Sequence, residues 1–475
     1  MSASPKVIII GAGPAGLAAA YRLVQGGAHV TVIEAGAQPG GMSRSLKLWG
    51  QTVDCGPHRF FSNDKIVNDF FKEVVGTDYV NVSRLTRIFY RKRFFHYPLK
   101  VTNVLTNLPP TTVLSVLWSY FLQQLDPIKN PVTFEDWVVS RFGRKLFNMF
   151  FKVYSEKLWG IPTAQLDAEW AAQRIKKFSL GEAVKTALFG GDKKKHKTLV
   201  DEFAYPVNGT GELYQKQADF VATHGGTVMY NTRVQRVLLD GKNEACGVEL
   251  ADGTVLNADK VISTMPLTLM VKNLPNVPAH VIEACNALYF RNTILVYAEV
   301  DALDLFPDNW IYIHDSDVKH GRITNFRNWS PALYGDKKTT ILCLEYWCFD
   351  NDPIWKEDDA YFGQLAEKEL RQTKLIKPEH KVLNTAVVRV PRCYPVYETG
   401  YMQHVDVVKN YLETIANLRV IGRYGSFKYN NQDHSILMGL LAAREILTGK
   451  KENLWSINTD TEYHESGESL TESDI

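Results

Sequence analysis

The hydrophobic pattern at the start of the chain predicts a strand, a tight turn, a helix and a second strand. A continuous apolar run over 7–10 leads into a glycine-rich turn over 11–16. Small and apolar residues then continue to Val24, and a second β-type run over 30–33 ends at the acid Glu34. Short apolar runs bounded by glycine are typical of buried parallel strands. The chain therefore begins with a βαβ unit.

The turn in this unit has the spacing of a dinucleotide-binding motif. Gly11, Gly13 and Gly16 match GxGxxG, in which the glycines permit the turn, the approach of a pyrophosphate and close helix packing. The N-terminus of the following helix then faces the phosphates. Glu34 stands 18 residues after Gly16, where a carboxylate can accept hydrogen bonds from an adenosine ribose. We predict a dinucleotide site, and the alternative is a glycine-rich turn in an ordinary βαβ unit.

Residues beyond the acid favour FAD over NAD. Gly40 and Gly41 offer a second approach of the backbone to the phosphates. Because FAD is long, we expect its other contacts to come from distant parts of the chain. A strand and hairpin over 231–254 fit this role, and a later strand ends at Gly422 and Arg423, where a guanidinium can pair with the pyrophosphate. The predicted cofactor is therefore FAD.

The later pattern divides the chain into interleaved parts. Helical spacing dominates after residue 86, where Thr133 and an acid three residues on form a capping signal. Strand-like runs dominate 286–390. We therefore expect an α/β fold with α+β insertions. Its parts are a discontinuous Rossmann-type FAD-binding domain (1–85, 205–285 and 391–455), a helical domain (86–204), an antiparallel-sheet substrate domain (286–390) and a disordered acidic tail (456–475).

Composition is that of an ordinary folded protein with two or three domains, since 475 residues are 45% hydrophobic and 22% charged. A net charge of +2 gives no reason to expect a nucleic-acid partner, and the basic run 193–197 is interpreted as an exposed loop. The apolar stretch 113–122 is too short to span a bilayer, so it predicts a buried helix and no membrane span.

The six cysteines are scattered without a CxxC pair, which argues against a disulfide framework or a zinc site. No metal is expected. The N-terminal apolar run is accounted for by the first strand and helix and does not predict a signal peptide. A reducing, cytoplasmic location fits these features.

Four polar residues stand in apolar or turn contexts: His58, Arg174, Arg322 and Tyr429. By residue type alone, the arginines are more often surface ion-pair partners, and His58 is more often a histidine satisfied in a loop or core. Neither a Ser-His-Asp grouping nor a metal-ligand spacing stands out, so the flavin would carry the chemistry.

Longer motifs resemble the UDP-galactopyranose mutase family, in particular its longer eukaryotic-type branch, along nearly the whole chain. The first glycine motif is common to many flavoproteins. The more specific segments are 54–62 (DCGPHRFFS), 133–137 (TFEDW), 154–162 (YSEKLWGIP), 205–211 (YPVNGTG), 422–429 (GRYGSFKY) and 431–435 (NQDHS).

The resemblance implies roles for individual positions. Arg174 and Arg322 match two arginines that hold a substrate pyrophosphate, and His58 lies on a loop that faces the flavin. These three are the candidate catalytic residues. The expected substrate contacts also include Phe61, Tyr97, Lys100, Trp159, Tyr312, Tyr394 and Tyr429. With the glycine motif, the expected flavin contacts are Gly11, Gly13, Pro14, Ala15, Gly16, Glu34, Ala35, Gly41, Met42, Ser43, Gly56, Pro57, His58, Val234, Gly422, Arg423, Asn431, Gln432 and Ser435.

The activity implied by the resemblance interconverts UDP-galactopyranose and UDP-galactofuranose. In it, N5 of reduced flavin attacks the anomeric carbon and UDP leaves, to return after the sugar ring has closed differently. The flavin must first be reduced, with NADPH or NADH as reductant. Planar, always-charged arginine side chains suit the departing diphosphate. A UDP-sugar is the expected partner, and a homo-oligomer is compatible with the sequence.

Some positions depart from the family pattern. Pro57 replaces a glycine of the histidine loop, Lys100 stands where a glutamine touches the uracil, and Ser155 replaces an asparagine. These changes leave the sugar and the nucleotide open. One alternative is an FAD-dependent oxidoreductase of the amine-oxidase or protoporphyrinogen-oxidase type, which has no use for the two arginines. The other is a non-enzymatic binder like the GDP-dissociation inhibitors, which the retained flavin motif disfavours.

Overall fold

The computed structural model describes residues 4–99, 101–168 and 202–458. Among the sequence predictions, those for Lys100, Arg174, the basic run 193–197 and the tail from residue 459 lie outside the described residues. Their predicted roles are therefore not placed by the structure.

The described chain contains both strands and helices. The strands are β1 (Lys6–Ile10), β2 (His29–Ile33), β3 (Ser45–Leu48), β4 (Gln51–Asp54), β5 (Tyr79–Ser83), β6 (Thr86–Tyr90), β7 (Arg93–His96), β8 (Glu202–Pro206), β9 (Thr227–Met229), β10 (Val234–Leu239), β11 (Ala245–Leu250), β12 (Val255–Asn257), β13 (Lys260–Ser263), β14 (Phe290–Val300), β15 (Trp310–Ile313), β16 (Arg322–Asn325), β17 (Thr340–Cys348), β18 (Val382–Pro395) and β19 (Leu418–Val420). The helices are α1 (Pro14–Gln25), α2 (Lys65–Val75), α3 (Val101–Asn107), α4 (Pro110–Leu125), α5 (Phe134–Phe150), α6 (Lys152–Trp159), α7 (Gly211–Thr223), α8 (Leu267–Lys272), α9 (Ala279–Ala287), α10 (Asp359–Gln372), α11 (Tyr401–Glu413), α12 (Gly422–Gly425) and α13 (Gln432–Thr448).

A five-stranded parallel sheet in the order β19-β13-β1-β2-β9 forms the base of the predicted dinucleotide site. Its strands come from three separate parts of the chain, and α1 and α13 pack together beside it. Glycine is required at this contact, because a Cβ added to Gly439 would lie 2.2 Å from the carbonyl oxygen of Ala15. The arrangement confirms the predicted fold class, an α/β fold with a Rossmann-type domain and a sheet-containing substrate region.

The second large sheet has seven strands in the order β18-β14-β17-β16-β15-β6-β7. Its pairs are antiparallel except β15 with β6, which run parallel. Strands β14 and β17 are buried along their whole length. Residues 86–96 contribute two strands where the sequence predicted mostly helix, because β6 completes its hydrogen bonding on the distant β15. The domain limits remain predictions.

Helix α4 differs from the buried helix that the sequence predicted at 113–122. Val116 is buried, but Leu114, Trp118 and Phe121 are 66%, 61% and 50% exposed. Only one side of α4 packs closely on α5, where a Cβ added to Gly143 would lie 2.9 Å from the Cα of Tyr120. The prediction of a buried helix is wrong, because apolar spacing identifies a helix face without specifying what covers it.

Within 4–99, 101–168 and 202–458, no helix has both the length and the apolar character that crossing a bilayer requires. The same residues contain no group of three or more His, Cys, Asp or Glu side chains that could hold a metal ion. All six cysteines are free thiols, and five of them are buried.

Candidate cofactor and substrate site

The turn between β1 and α1 forms one end of the candidate site. Gly11 has a φ of +99°, a conformation that favours glycine. The Glu34 carboxylate, at the end of β2, accepts hydrogen bonds from the backbone N–H of Ala12 at 2.8 Å and of Gly36 at 2.7 Å. This fixes an acid beside the turn, where an adenosine ribose would lie.

A second glycine segment closes on the first. A Cβ added to Gly41 would lie 3.3 Å from the Cα of Gly13, and Gly41 itself has a φ of +55°. Two backbone segments without side chains thus face each other, which leaves room for a pyrophosphate to approach both. Met42 and Ser43 complete the 3₁₀ turn Gly41–Ser43.

Arg423 provides a cation at the other predicted contact region. Its Nε donates to the Cys393 carbonyl at 3.0 Å and its Nη1 to the Asn430 carbonyl at 3.1 Å. Its Nη2 is buried and has no hydrogen-bond partner among the described residues. A buried donor without a partner costs about 1–3 kcal/mol. The glycine cradle, the fixed acid and this orphaned donor together fit the predicted FAD.

The His58 loop follows β4 and faces the same region. His58 Nε2 lies 2.9 Å from the Cys55 carbonyl, which can only accept, so Nε2 carries the proton. Burial lowers the pKa of His58 to about 4, and Arg322 and Arg423 lower it further, against the opposing effect of that carbonyl. His58 is therefore neutral near pH 7.

At the start of α13, the side chains of Asn431 and Gln432 bond to other parts of the protein, and their predicted flavin contacts remain predictions. Both polar atoms of Gln432 are engaged, because Oε1 accepts from the Tyr214 hydroxyl at 2.5 Å and Nε2 donates to the His58 carbonyl at 3.2 Å. The Asn431 side chain caps α13. Gln432 thus holds the His58 loop against α13. The predicted flavin contact of Ser435 remains a prediction, and its side chain is buried on the same helix.

The remaining predicted flavin contacts lie near these elements. Gly422 packs on α1, where an added Cβ would lie 3.1 Å from the Ala15 Cβ. Gly56 has a φ of +100° and precedes Pro57 on the His58 loop. The other positions are Pro14 in the first turn of α1, Gly16 within it, Ala35 directly after the acid at the end of β2, and Val234 at the buried start of β10.

Arg322 forms a paired and largely buried cation on the seven-stranded sheet, with 15% of its side chain exposed. Its Nε and Nη2 donate to the two Glu345 carboxylate oxygens at 2.5 and 2.6 Å, and Nη2 also lies 3.4 Å from the Tyr394 hydroxyl. Burial lowers the pKa of Arg322, but Glu345 outweighs it and raises that pKa well above its usual value. Nη1 has no hydrogen-bond partner in the part of the chain that the structure describes. This leaves one charged donor for a ligand.

Aromatic side chains surround Arg322. We call Tyr97, Tyr154, Trp159, Tyr312, Tyr394 and Tyr429 the aromatic wall. The Tyr312 ring lies 4.9 Å from that of Tyr97 and 5.4 Å from that of Tyr154, and the Tyr429 ring lies 5.5 Å from that of Tyr394 and 6.0 Å from that of Trp159. Burial raises the pKa of Tyr394 well above its usual value, so its hydroxyl stays a donor.

A small cavity lies where the predicted cofactor side meets the seven-stranded sheet. Met42 and His58 line it from the predicted cofactor side, while Arg322, Glu345 and Tyr394 line it from the seven-stranded sheet. The cavity thus brings together four of the predicted positions, Met42, His58, Arg322 and Tyr394. Phe61 lies on the His58 loop, with the Arg59 guanidinium 5.8 Å from its ring centre.

Glu345 is a site residue that sequence reasoning missed. It is 2% exposed and lies opposite Arg322 in the register of β16 and β17. The sequence feature that could have identified Glu345 is an acid inside the apolar run 340–348. A carboxylate buried there needs a charged or hydrogen-bonding partner.

Comparisons with known proteins agree with this architecture. A family model for flavin containing amine oxidoreductases matches residues 14–447. Coproporphyrinogen III oxidase of Staphylococcus aureus is 24% identical over 472 residues, which cover 93% of this chain and 99% of that protein. A 4,4'-diapophytoene desaturase of Staphylococcus haemolyticus is 26% identical over 366 residues, covering 69% of this chain and 70% of the relative.

A solved structure of reduced UDP-galactopyranose mutase has a TM-score of 0.84 to this chain at 23% identity, and it covers 96% of this chain and 99% of that one. Such a low identity shows a shared fold and leaves the activity open. The family model, in contrast, spans most of the chain. The chain belongs to the flavin-containing amine oxidoreductase family, which implies FAD as its cofactor.

Proposed function

We propose that this protein is a UDP-sugar mutase that interconverts UDP-galactopyranose and UDP-galactofuranose with reduced FAD. The observation that carries the proposal is the shared cavity, in which Arg322 and Tyr394 face Met42 and His58 of the predicted cofactor side. A guanidinium with a spare N–H and nearby phenol hydroxyls suits a diphosphate. The fold likeness to a UDP-galactopyranose mutase supports the same activity.

Arg322, oriented by Glu345, would bind the leaving group. Their bidentate pairing fixes the plane of the guanidinium, so Nη1 is directed without further ordering. A UDP group gains negative charge as its bond to the sugar breaks, and a preorganised cation stabilises that charge. The Tyr312, Tyr394 and Tyr429 hydroxyls add neutral donors around the phosphates.

The residues that would hold FAD are the backbone of Gly13 and Gly41 at the pyrophosphate, Glu34 at the ribose and Arg423 through its free Nη2. When bound and reduced, FAD supplies an electron-rich nitrogen nucleophile for the anomeric carbon. His58 keeps its proton on Nε2 and adds no charge beside the reacting atoms. Trp159 and Tyr429 pack against each other and against Tyr394, which lines the cavity, and would help to exclude water from the sugar.

Porphyrinogen oxidation is the second candidate function, because the coproporphyrinogen oxidase similarity covers nearly the whole of both chains. Its substrate carries carboxylates, which Arg322 could also bind. Carotenoid desaturation is disfavoured, since a hydrocarbon would have to desolvate the Arg322–Glu345 pair without offering it a polar contact.

Chromatography of reaction mixtures tests the proposal. FAD-loaded protein reduced with dithionite should convert UDP-galactofuranose to UDP-galactopyranose, and the oxidised protein should not. In a second reaction, the oxidised FAD-loaded protein is incubated in air with coproporphyrinogen III, and porphyrin fluorescence is measured. Formation of porphyrin, with no conversion of any UDP-hexose by the reduced protein, would reject the mutase in favour of the oxidase.

A further inference from the structure

Lys157 makes contacts that neither the sequence motif nor the proposed chemistry explains. It lies on α6, between Tyr154 and Trp159 of the aromatic wall. Its Nζ donates to the backbone carbonyls of Asp315 at 2.5 Å, His320 at 3.2 Å and Ile313 at 3.4 Å. The Asp315 and His320 carbonyls lie in the connection between β15 and β16, and the Ile313 carbonyl lies at the end of β15. We call residues 314–321 the hairpin loop.

Glu369 of α10 holds the hairpin loop from another side. Its carboxylate accepts from the backbone N–H of Lys319 at 2.6 Å and from His320 Nδ1 at 2.6 Å, and the Tyr346 hydroxyl donates to it at 3.1 Å. The loop is thus fixed by one cation and one carboxylate on separate helices. Glu369 is buried in this arrangement.

The hairpin loop connects two residues of the proposed diphosphate site. Tyr312 is the next-to-last residue of β15, the strand before the loop, and pairs in register with Arg322, which begins β16. The hairpin is closed by the Ile313 N–H donating to the Gly321 carbonyl at 2.8 Å. Gly321 presses on Trp347, because an added Cβ would lie 2.0 Å from that ring. A shift of the loop therefore moves Tyr312 and Arg322 together.

Helix α6 offers a fixed point for the loop. Arg291, which is 4% exposed, donates from Nε to the Leu158 carbonyl at 3.3 Å and from Nη2 to the Lys157 and Trp347 carbonyls at 3.2 and 2.8 Å. These bonds satisfy the carbonyls at the C-terminus of α6 and tie it to β17. Lys157 then transmits the position of α6 to the hairpin loop.

We propose that Lys157 is a positioning residue, whose ammonium group holds the hairpin loop on α6 and so sets where Tyr312 and Arg322 stand in the diphosphate site. This proposal rests on the proposed function, since it concerns the binding of the same UDP substrate. Lys157 acts through the loop and touches neither substrate nor cofactor in this account.

Deprotonation of Lys157 should make UDP binding depend on pH. Burial lowers the pKa of Lys157 to about 8, while Glu369, Asp315 and Asp317 oppose the shift. The neighbouring histidines stay neutral near pH 7, because burial lowers the pKa of His314 to about 3 and also lowers that of His320. An ammonium group has three N–H donors for the three carbonyls, and it loses one above about pH 8.

The test compares Lys157→Met and Lys157→Arg with Lys152→Met, a control at an exposed lysine on the same helix. In the FAD-loaded protein, Lys157→Met should speed amide hydrogen exchange in the hairpin loop and weaken UDP binding about five- to fiftyfold. The flavin absorbance and the exchange of other segments should stay unchanged. Lys152→Met should match the wild type in each measurement.

The pH dependence separates positioning from general stability. UDP affinity of the wild type should fall between pH 7 and about 9, and Lys157→Arg should bind with little change over that range, because arginine stays charged. Unchanged loop exchange in Lys157→Met, or unchanged UDP affinity with faster exchange, would overturn the proposal. So would identical pH profiles for wild type and Lys157→Arg, a comparison that stands even where Lys157→Met does not fold. If the wild type binds no UDP, the proposed function is rejected. In that case, amide hydrogen exchange in the hairpin loop alone shows whether Lys157 holds the loop.

Discussion

Replacing Arg322 by alanine is the sharpest perturbation of the proposed diphosphate site. The guanidinium makes two short hydrogen bonds to Glu345 and keeps Nη1 for a ligand. One charge-assisted hydrogen bond contributes about 1.5–3 kcal/mol, so its loss should weaken UDP binding about ten- to a hundredfold. Isothermal titration of UDP into the FAD-loaded protein measures this directly, and the flavin absorbance should be retained.

The same substitution has a second effect that would confuse a simple assay. Glu345 is 2% exposed, and Arg322→Ala leaves its carboxylate without the guanidinium. Breaking a buried ion pair from one side costs about 3–5 kcal/mol of folding free energy. We therefore expect Arg322→Ala to melt well below the wild type.

A double variant separates the two effects. Arg322→Met combined with Glu345→Gln removes both charges and should recover most of the lost stability, since neutral replacements of buried pairs are often tolerated. It should still bind UDP as weakly as Arg322→Ala. Wild-type UDP affinity in this folded double variant would refute the role of Arg322 in binding the diphosphate.

Three further predictions concern the cofactor side. Arg423→Met should reduce the FAD retained after purification, measured by flavin absorbance, because it removes the buried Nη2 donor; full retention would contradict the assignment. Gly41→Ala should also lower FAD occupancy, since its Cβ would lie 3.3 Å from the Gly13 Cα at a positive φ, and an occupancy equal to wild type would show that the approach is not used. For His58, the folded pKa of about 4 lies below the ordinary value of 6.5, so the free energy of unfolding should fall as pH drops from 6.5 towards 4. The slope should be smaller in His58→Asn, and equal slopes would argue against a neutral buried imidazole.

The cofactor end of the fold could be predicted from the sequence because its signals are local. The run 7–10 and the glycines directly after it form β1 and the turn, and Glu34 directly follows the next apolar run, β2. Thr133 and its acid likewise cap α5 as expected, with both hydrogen bonds of the capping box present. Each of these features depends on residues a few positions apart.

The rest of the site depends on contacts that no local pattern encodes. Glu345 meets Arg322 through the register of β16 and β17, and Lys157 reaches carbonyls on a hairpin far along the chain. The family resemblance pointed to Arg322, but it indicated neither the Arg322–Glu345 pair nor the contact of Lys157 with the hairpin. Helix α4 is the opposite case. Its local apolar spacing predicted a buried helix, but the described residues around it leave one of its faces exposed.

A crystal structure of the FAD-loaded protein with UDP would show whether Arg322 binds the diphosphate. We expect the diphosphate to lie in the cavity between His58 and Tyr394, with a phosphate oxygen accepting a hydrogen bond from Arg322 Nη1. UDP bound away from this cavity, with Nη1 still free of any ligand, would contradict it.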